Sequence, residues 1–250
     1  MQLGTVLSVP DAALAELVCE QLDFVWIDLE HGQLGARDAQ TMAIGARAAG
    51  CPALVRVPHF DSELLPALLD AGIDGVVAPR LEHAAAAERL VDRLRYPPWG
   101  SRGMAPRRAN SYGRASGPGS AAVACVVQIE SAKAVENAAG IASVEGVDAL
   151  VVGCSDLSLD LGTPGELESA PLLAAIRHVQ EAAAGAGVAS GIAAHGPAPA
   201  LARLLAGRST IVVYSSDVRL YAQAVDEAVA GLARVLAVGA EAGSPAWPST

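Results

Sequence analysis

Eight short apolar runs set the frame for this chain, at residues 3–8, 24–29, 53–57, 75–78, 123–129, 149–153, 188–193 and 210–214. Stretches rich in Ala, Leu, Glu and Arg with a helical period lie between them, as at 63–71, 84–95 and 172–186. Eight strand–helix units are the count for a closed (β/α)8 barrel, a TIM barrel. A doubly wound open sheet would show fewer strands and a glycine-rich phosphate loop after the first, and neither is present. With 250 residues, 52% of them hydrophobic, the chain can bury one such core. No linker divides it, so a single catalytic domain is expected over 1–238, followed by a frayed tail over 239–250.

The segment 96–119 breaks the rhythm. Pro97, Pro98, Gly100, Gly103 and Pro106 are followed by Gly113, Gly117, Pro118 and Gly119. A long irregular loop between the fourth helix and the fifth strand is expected, and loops of this size are usually functional.

Charge and cysteine usage remove several function classes. The net charge of −10 disfavours nucleic acid and anionic membranes as partners. Cys19, Cys51, Cys125 and Cys154 lack CxxC spacing, which argues against a structural zinc or a disulfide framework. No run has the length of a membrane span, and Asp11 and Glu16 interrupt the opening apolar stretch, against a signal peptide. A cytoplasmic enzyme is the expectation.

In a (β/α)8 barrel the catalytic groups gather where strands end. The second strand ends in Asp28, Leu29, Glu30 and His31, the third in Arg56, the fifth in Gln128, Ile129 and Glu130, and the sixth in Gly153, Cys154, Ser155 and Asp156. Charged groups after apolar runs at four strand ends are hard to explain by packing alone, since each would cost several kcal/mol if buried without a partner. Glu130 and Asp156 end adjacent strands. Two carboxylates with room for water and substrate oxygens suit a hard divalent cation such as Mg²⁺ or Mn²⁺; the alternative is that each caps a helix, as Asp156 would before Leu157, or pairs with an arginine. Arg56 can present a guanidinium fork to a carboxylate or oxyanion, or pair with Asp28 or Glu30. His31 stands out among the five histidines because Asp28, Arg56 and the carboxylate pair surround the same mouth; His59, His83, His178 and His195 are read as structural. The single lysine, Lys133, lies at a helix start rather than in a strand. A Schiff-base aldolase needs a desolvated lysine in the barrel, so any enolate chemistry would rest on a metal acting as Lewis acid.

With these residues in hand, the chain resembles the HpcH/HpaI aldolase family of metal-dependent (class II) pyruvate aldolases. The resemblance is carried by Ile27-Asp-Leu-Glu-His-Gly32, Leu54-Val-Arg-Val-Pro58, Leu68-Leu-Asp-Ala-Gly72, Arg95-Tyr-Pro-Pro-Trp-Gly-Ser-Arg-Gly103, Val127-Gln-Ile-Glu130, and Gly146-Val-Asp148 with Val152-Gly-Cys-Ser-Asp-Leu-Ser158. It implies metal ligation by Glu130 and Asp156, with Mg²⁺ expected and Mn²⁺ or Co²⁺ as alternatives. It implies that Arg56 holds the oxo-acid end, that His31 is the acid/base with Asp70 as its carboxylate partner, and that Asp28 supports them. Gln128 and the backbone around Gly153, Cys154 and Ser155 would line a pyruvate pocket. The substrates implied are a 2-oxo acid and an aldehyde, joined or parted as a 4-hydroxy-2-oxo acid. A homohexamer is also implied, in which the helix expected at 218–238 is exchanged between subunits.

Three departures bear on specificity. Cys154 stands where the family has proline, residues 116–120 replace a longer helical stretch, and Ala194-His195-Gly196 after the seventh strand is unusual. The same enolate could serve an oxaloacetate decarboxylase or a C–C-forming synthase. A CoA-thioester lyase would use Arg102, Arg107, Arg108 and Arg114 as a nucleotide patch. A non-catalytic barrel would be expected to have lost some of Asp28, His31, Arg56, Glu130 and Asp156, and all are present.

Overall fold

In the computed structural model, which describes residues 1–114, 122–205 and 209–240, the strands close into one parallel barrel in sequence order. They are β1 (Gln2–Leu7), β2 (Phe24–Asp28), β3 (Ala53–Arg56), β4 (Gly75–Ala78), β5 (Ala124–Ile129), β6 (Ala149–Gly153), β7 (Ala189–Ala194) and β8 (Ile211–Ser216). Around them run α1 (Ala12–Cys19), α2 (Ala36–Ala48), α3 (Leu65–Ala71), α4 (Ala84–Leu94), the short α5 (Ala132–Glu136) and α6 (Ala138–Ala142), α7 (Cys154–Asp160), α8 (Ala170–Ala186), α9 (Ala198–Leu204) and α10 (Asp217–Ala240). Every strand expected from the sequence is found within two residues of its expected bounds. Inside the irregular segment, 3₁₀ turns form over Arg108–Gly113; the departure at 116–120 lies outside the described residues, as does most of the expected tail, since α10 runs to Ala240.

Strand alternation sorts the apolar residues into two cores. Val25, Ile27, Val55, Val76, Val127, Leu150 and Val152 pack outward against the helices. Phe24, Trp26, Val77, Val126, Val151 and Val213 fill the barrel. Gly4 makes room for this filling, because a Cβ there would lie 2.4 Å from the Phe24 ring. The period of two then decides what comes next. Phe24 and Trp26 point inward, so Asp28 does; Leu54 and Arg56 share a face, as do Val126, Gln128 and Glu130. The axial column is apolar at its base and charged at its C-terminal end.

The base of the barrel is tied by carboxylates of another kind. Asp23, Asp74 and Asp148 each precede a strand and accept the backbone N–H of Leu3, Ala53 and Cys125 on the preceding strand, at 2.8, 2.9 and 2.7 Å. All four cysteines are buried and free, and burial pushes the Cys125 and Cys154 thiols up to about 12, in keeping with small core hydrophobes.

Two long helices differ in their partners. α8 buries Leu172, Ile176, Val179 and Ala183 against the barrel. α10 leaves Val218, Tyr221, Val225, Val229, Leu232, Val235 and Leu236 exposed, one apolar stripe at helical spacing. Among the described residues no helix is long and apolar enough to cross a membrane.

Candidate active site

Register brings the first pair together: Asp28 on β2 lies directly beside Arg56 on β3. Arg56 Nε donates to Asp28 Oδ1 at 2.9 Å and Nη2 to Oδ2 at 2.6 Å, a bidentate fork. Asp28 Oδ1 also accepts the N–H groups of Glu30 and His31 at 3.0 and 3.3 Å. Burial alone would raise the Asp28 carboxyl, but the Arg56 fork and those N–H groups outweigh it and hold it below the usual range. Arg56 is raised in turn, Asp28 overcoming the burial that disfavours its charge. The ion pair considered from sequence is therefore made, and Arg56 still lines the cavity with its remaining edge. Its Nη1 lies 3.2 Å from Glu30 Oε2 and 3.5 Å from Gln128 Oε1.

The corner between β5 and β6 is different. Glu130 is 6% exposed, and its Oε2 accepts the backbone N–H of Arg80 at 3.1 Å. Burial, then Glu30, then Asp156 raise its carboxyl to about 7, against the lowering influence of Arg56 and that N–H. Gly153 makes the corner possible: a Cβ there would sit 2.7 Å from Gln128 Nε2 and 2.9 Å from Glu130 Cγ. Asp156 is not a helix cap. Gly153 takes the cap position and Asp156 falls in the first turn of α7, where the helix dipole favours a carboxylate. Glu30 is also raised by burial, despite Arg56, His31 and Arg80 nearby. His31 stands exposed at the rim with Nε2 3.7 Å from Glu30 Oε2.

Asp28, His31, Arg56, Gln128, Gly153, Ser155 and Asp156 line one cavity of about 270 Å³, and Glu30 and Glu130 lie outside its lining. Among the described residues no cluster of three or more His, Cys, Asp or Glu is placed to hold a metal ion. Glu130 and Asp156 form a two-carboxylate set, and such a set fits Mg²⁺, which binds through one or two carboxylates and keeps water or substrate oxygens for the rest. The raised Glu130 carboxyl accords with that fit: burial, and after it Glu30 and Asp156, outweigh Arg56, and a cation between the two carboxylates would offset them.

Three residues implied by the resemblance, Glu130, Cys154 and Asp70, do not line this cavity. Cys154 turns its thiol into the outer core, 3.7 Å from the Val152 carbonyl oxygen, so its side chain takes no part in the cavity wall. Asp70, on α3, lines a separate cavity with Arg102 and Met104. Two of the four arginines considered for a nucleotide patch do other work. Arg102 and Arg108 donate to the Leu69 and Ala71 carbonyls at the end of α3, at 3.1 and 3.4 Å, and Arg102 stacks 4.5 Å from the Tyr96 ring centre. Lys133 is exposed and paired with Glu82 at 3.2 Å.

Sequence reasoning passed over Glu30 as a site residue, and Arg80, Ser215, Ser216 and Arg219 entirely. The strand-end rule would have found them had it been applied to β4, which runs into Pro79 and Arg80, and to β8. Of the histidines read as structural, His59, His83 and His178 lie on the surface, but His195 lines the cavity.

Comparison with known proteins agrees with this geometry. A family model described as HpcH/HpaI aldolase/citrate lyase matches residues 6–224. A 4-hydroxy-2-oxovalerate aldolase of Rhodococcus jostii is 35% identical over 242 residues, 94% of this chain and 92% of its own length. A 4-hydroxy-4-methyl-2-oxoglutarate aldolase of Chaetomium globosum is 37% identical over 68% of this chain, a match spanning 66% of that protein, just under two thirds. The crystal structure of an HpcH/HpaI aldolase/citrate lyase family protein from Burkholderia cenocepacia superposes with a TM-score of 0.85 at 33% identity, covering 92% of this chain and 94% of that one.

Proposed function

The chain belongs to the HpcH/HpaI aldolase/citrate lyase family and is a carbon–carbon lyase, and from that premise we propose that it makes or breaks the C3–C4 bond of 4-hydroxy-2-oxo acids, with pyruvate and an aldehyde as the two halves. The observation that carries this reading is the buried Glu130, its carboxyl raised by burial, Glu30 and Asp156, beside a cavity that Asp156, Arg56 and Gln128 line. Those two carboxylates would hold Mg²⁺ or a similar ion. When bound, such an ion supplies the Lewis acidity that lowers the energy of an enolate.

The chain's own residues do the rest. Asp28 fixes the Arg56 fork, so the guanidinium meets the oxo acid and its developing oxyanion without reorganising. Gln128 and Ser155 orient the pyruvate half. In the cleavage direction His31, through a water, takes the proton of the 4-hydroxyl; the O–H electron pair becomes the aldehyde π bond, and the C3–C4 pair passes into the enolate. Protonation at C3 then gives pyruvate. The partnership of His31 with Asp70 implied by the resemblance is proposed across a subunit boundary, since Asp70 lines a different cavity. A homohexamer with exchanged α10 helices would cover the apolar stripe of α10, and a Leu232→Glu variant is expected to elute as a smaller species in size-exclusion chromatography. Four free, buried cysteines fit a cytoplasmic setting.

The test is pyruvate release from 4-hydroxy-2-oxo acids with Mg²⁺, Mn²⁺ or excess EDTA. Release abolished by EDTA is expected. Release that survives EDTA would sink the metal assignment, and release from oxaloacetate alone would point to a decarboxylase or a synthase.

A further inference from the structure

β4 runs out at Ala78 into Pro79 and Arg80, and Arg80 holds a left-handed backbone with a φ of 52°. That conformation is disfavoured for a residue with a Cβ, and where it persists the surroundings enforce it. Here it aims a donor: the Arg80 N–H meets Glu130 Oε2 at 3.1 Å. The guanidinium of the same residue serves a different carboxylate, with Nε 3.5 Å from Glu30 Oε1. Arg80 therefore contacts Glu130 through its backbone and Glu30 through its side chain. Glu30 has one arginine at each oxygen, since Arg56 Nη1 lies 3.2 Å from Oε2. The fork of Arg56, however, belongs to Asp28. Among the described residues none donates a hydrogen bond to Glu30 Oε2, so charge rather than a directed bond holds that oxygen. Glu30 is thus a third carboxylate, with its side chain 10% exposed, next to the pair that would hold a metal ion.

We propose that Arg80 is a positioning residue that tethers Glu30 away from the metal pair, so that the site keeps two carboxylate ligands and selects Mg²⁺ over Ca²⁺. The proposal rests on the assignment of Glu130 and Asp156 to the metal, and adds the ion preference and the residue that sets it. A hard cation draws in any free carboxylate nearby. Mg²⁺ is satisfied by one or two and keeps its other places for water and substrate oxygens, whereas Ca²⁺ takes more oxygens in a looser shell. A released Glu30 would therefore favour Ca²⁺ and occupy a place that the oxo acid needs. The two parts of Arg80 have separate tasks: the N–H steadies Glu130, and the guanidinium restrains Glu30.

Calorimetric titration of EDTA-treated, desalted protein with magnesium chloride and with calcium chloride reads this preference without turnover. The wild type is expected to bind Mg²⁺ the more tightly. Arg80→Gly is the informative variant, because glycine adopts a left-handed turn freely and keeps the N–H on Glu130. It should move the ratio of the two affinities about tenfold towards Ca²⁺, the effect of one more carboxylate ligand. Arg80→Asn, which also tolerates that backbone, should repeat the shift in a chain that keeps a Cβ, and Arg80→Lys should stay near the wild-type ratio. Adding Glu30→Gln to Arg80→Gly should cancel the shift, since the released side chain is then uncharged. Loss of a nearby positive charge strengthens both ions alike and leaves their ratio unmoved. An unchanged ratio in Arg80→Gly and Arg80→Asn, a shift that survives Glu30→Gln, or a wild type that prefers Ca²⁺ would overturn the tether while leaving the metal site standing. A wild type that binds neither ion would overturn the metal assignment itself, and the tether with it.

Discussion

The two ends of the barrel use carboxylates in opposite ways. At the base, Asp23, Asp74 and Asp148 reach solvent and each accepts a strand N–H. At the mouth, Asp28 and Glu130 are 4% and 6% exposed. The base carboxylates lock neighbouring strands together. The mouth holds one carboxylate that the protein itself neutralises, Asp28 with Arg56, and another, Glu130, crowded by its own kind. A barrel can be closed by the first kind of arrangement alone; the second is a cost to folding that chemistry has to justify.

The contrast can be broken at four places. Glu130→Ala or Asp156→Ala should lower metal-dependent kcat/KM by about a thousandfold or more, the several kcal/mol attributed to Lewis-acid stabilisation, while circular dichroism shows a normal fold. Comparable turnover would dissolve the distinction between the two ends. Asp28→Asn takes the bidentate partner from the buried Arg56 guanidinium, leaving it Glu30, and should cost about 3 kcal/mol in urea unfolding at pH 7. Because the Asp28 carboxyl is held low, its contribution is present above the ordinary carboxylate range and is lost as pH falls through its depressed value.

Glu130 has the reverse sign. Its carboxyl is raised to about 7, so the folded chain prefers it protonated. The penalty is absent in acid, grows above the ordinary carboxylate value, and is complete once pH passes 7. Metal-free Glu130→Gln should therefore be more stable than the wild type at pH 8, by about 1–3 kcal/mol, and no more stable near pH 4. Adding Mg²⁺ should reverse the order, since only the wild type gains the binding energy. The smallest effect is expected at the base: Asp148→Ala loses one hydrogen bond to Cys125, about 1 kcal/mol, and thermal unfolding should record that loss while pyruvate release keeps its wild-type rate.

Much of this was legible before any coordinates. The strand runs gave the barrel because burial on both faces leaves an unbroken apolar signature, and the strand-end rule then pointed to Asp28, Arg56, Gln128, Glu130 and Asp156 as neighbours of one mouth. Strand alternation explains why that worked: once Phe24, Trp26 and Val126 fill the axis, residues two and four places on must point into it. Other features left no trace in the pattern. The 3₁₀ turns at Arg108–Gly113 follow no hydrophobic period, and the polar end of β8 carries no apolar run to mark it. Asp156 read as a possible cap because spacing alone does not distinguish an N-cap from the third residue of a helix.

The sequence by itself determined the architecture, the absence of a barrel lysine and the set of charged residues at the strand ends, since these follow from periodicity and residue type. Only the tertiary structure decided which charges meet. Asp28 pairs with Arg56 because β2 and β3 align them in register; Glu130 is left with acidic neighbours because Gly153 lets it pack against β6; His195 and Arg219 reach the cavity beside a bulge whose extra residue has no signature in composition. Pairing depends on distances across strands, and a linear pattern records only distances along them.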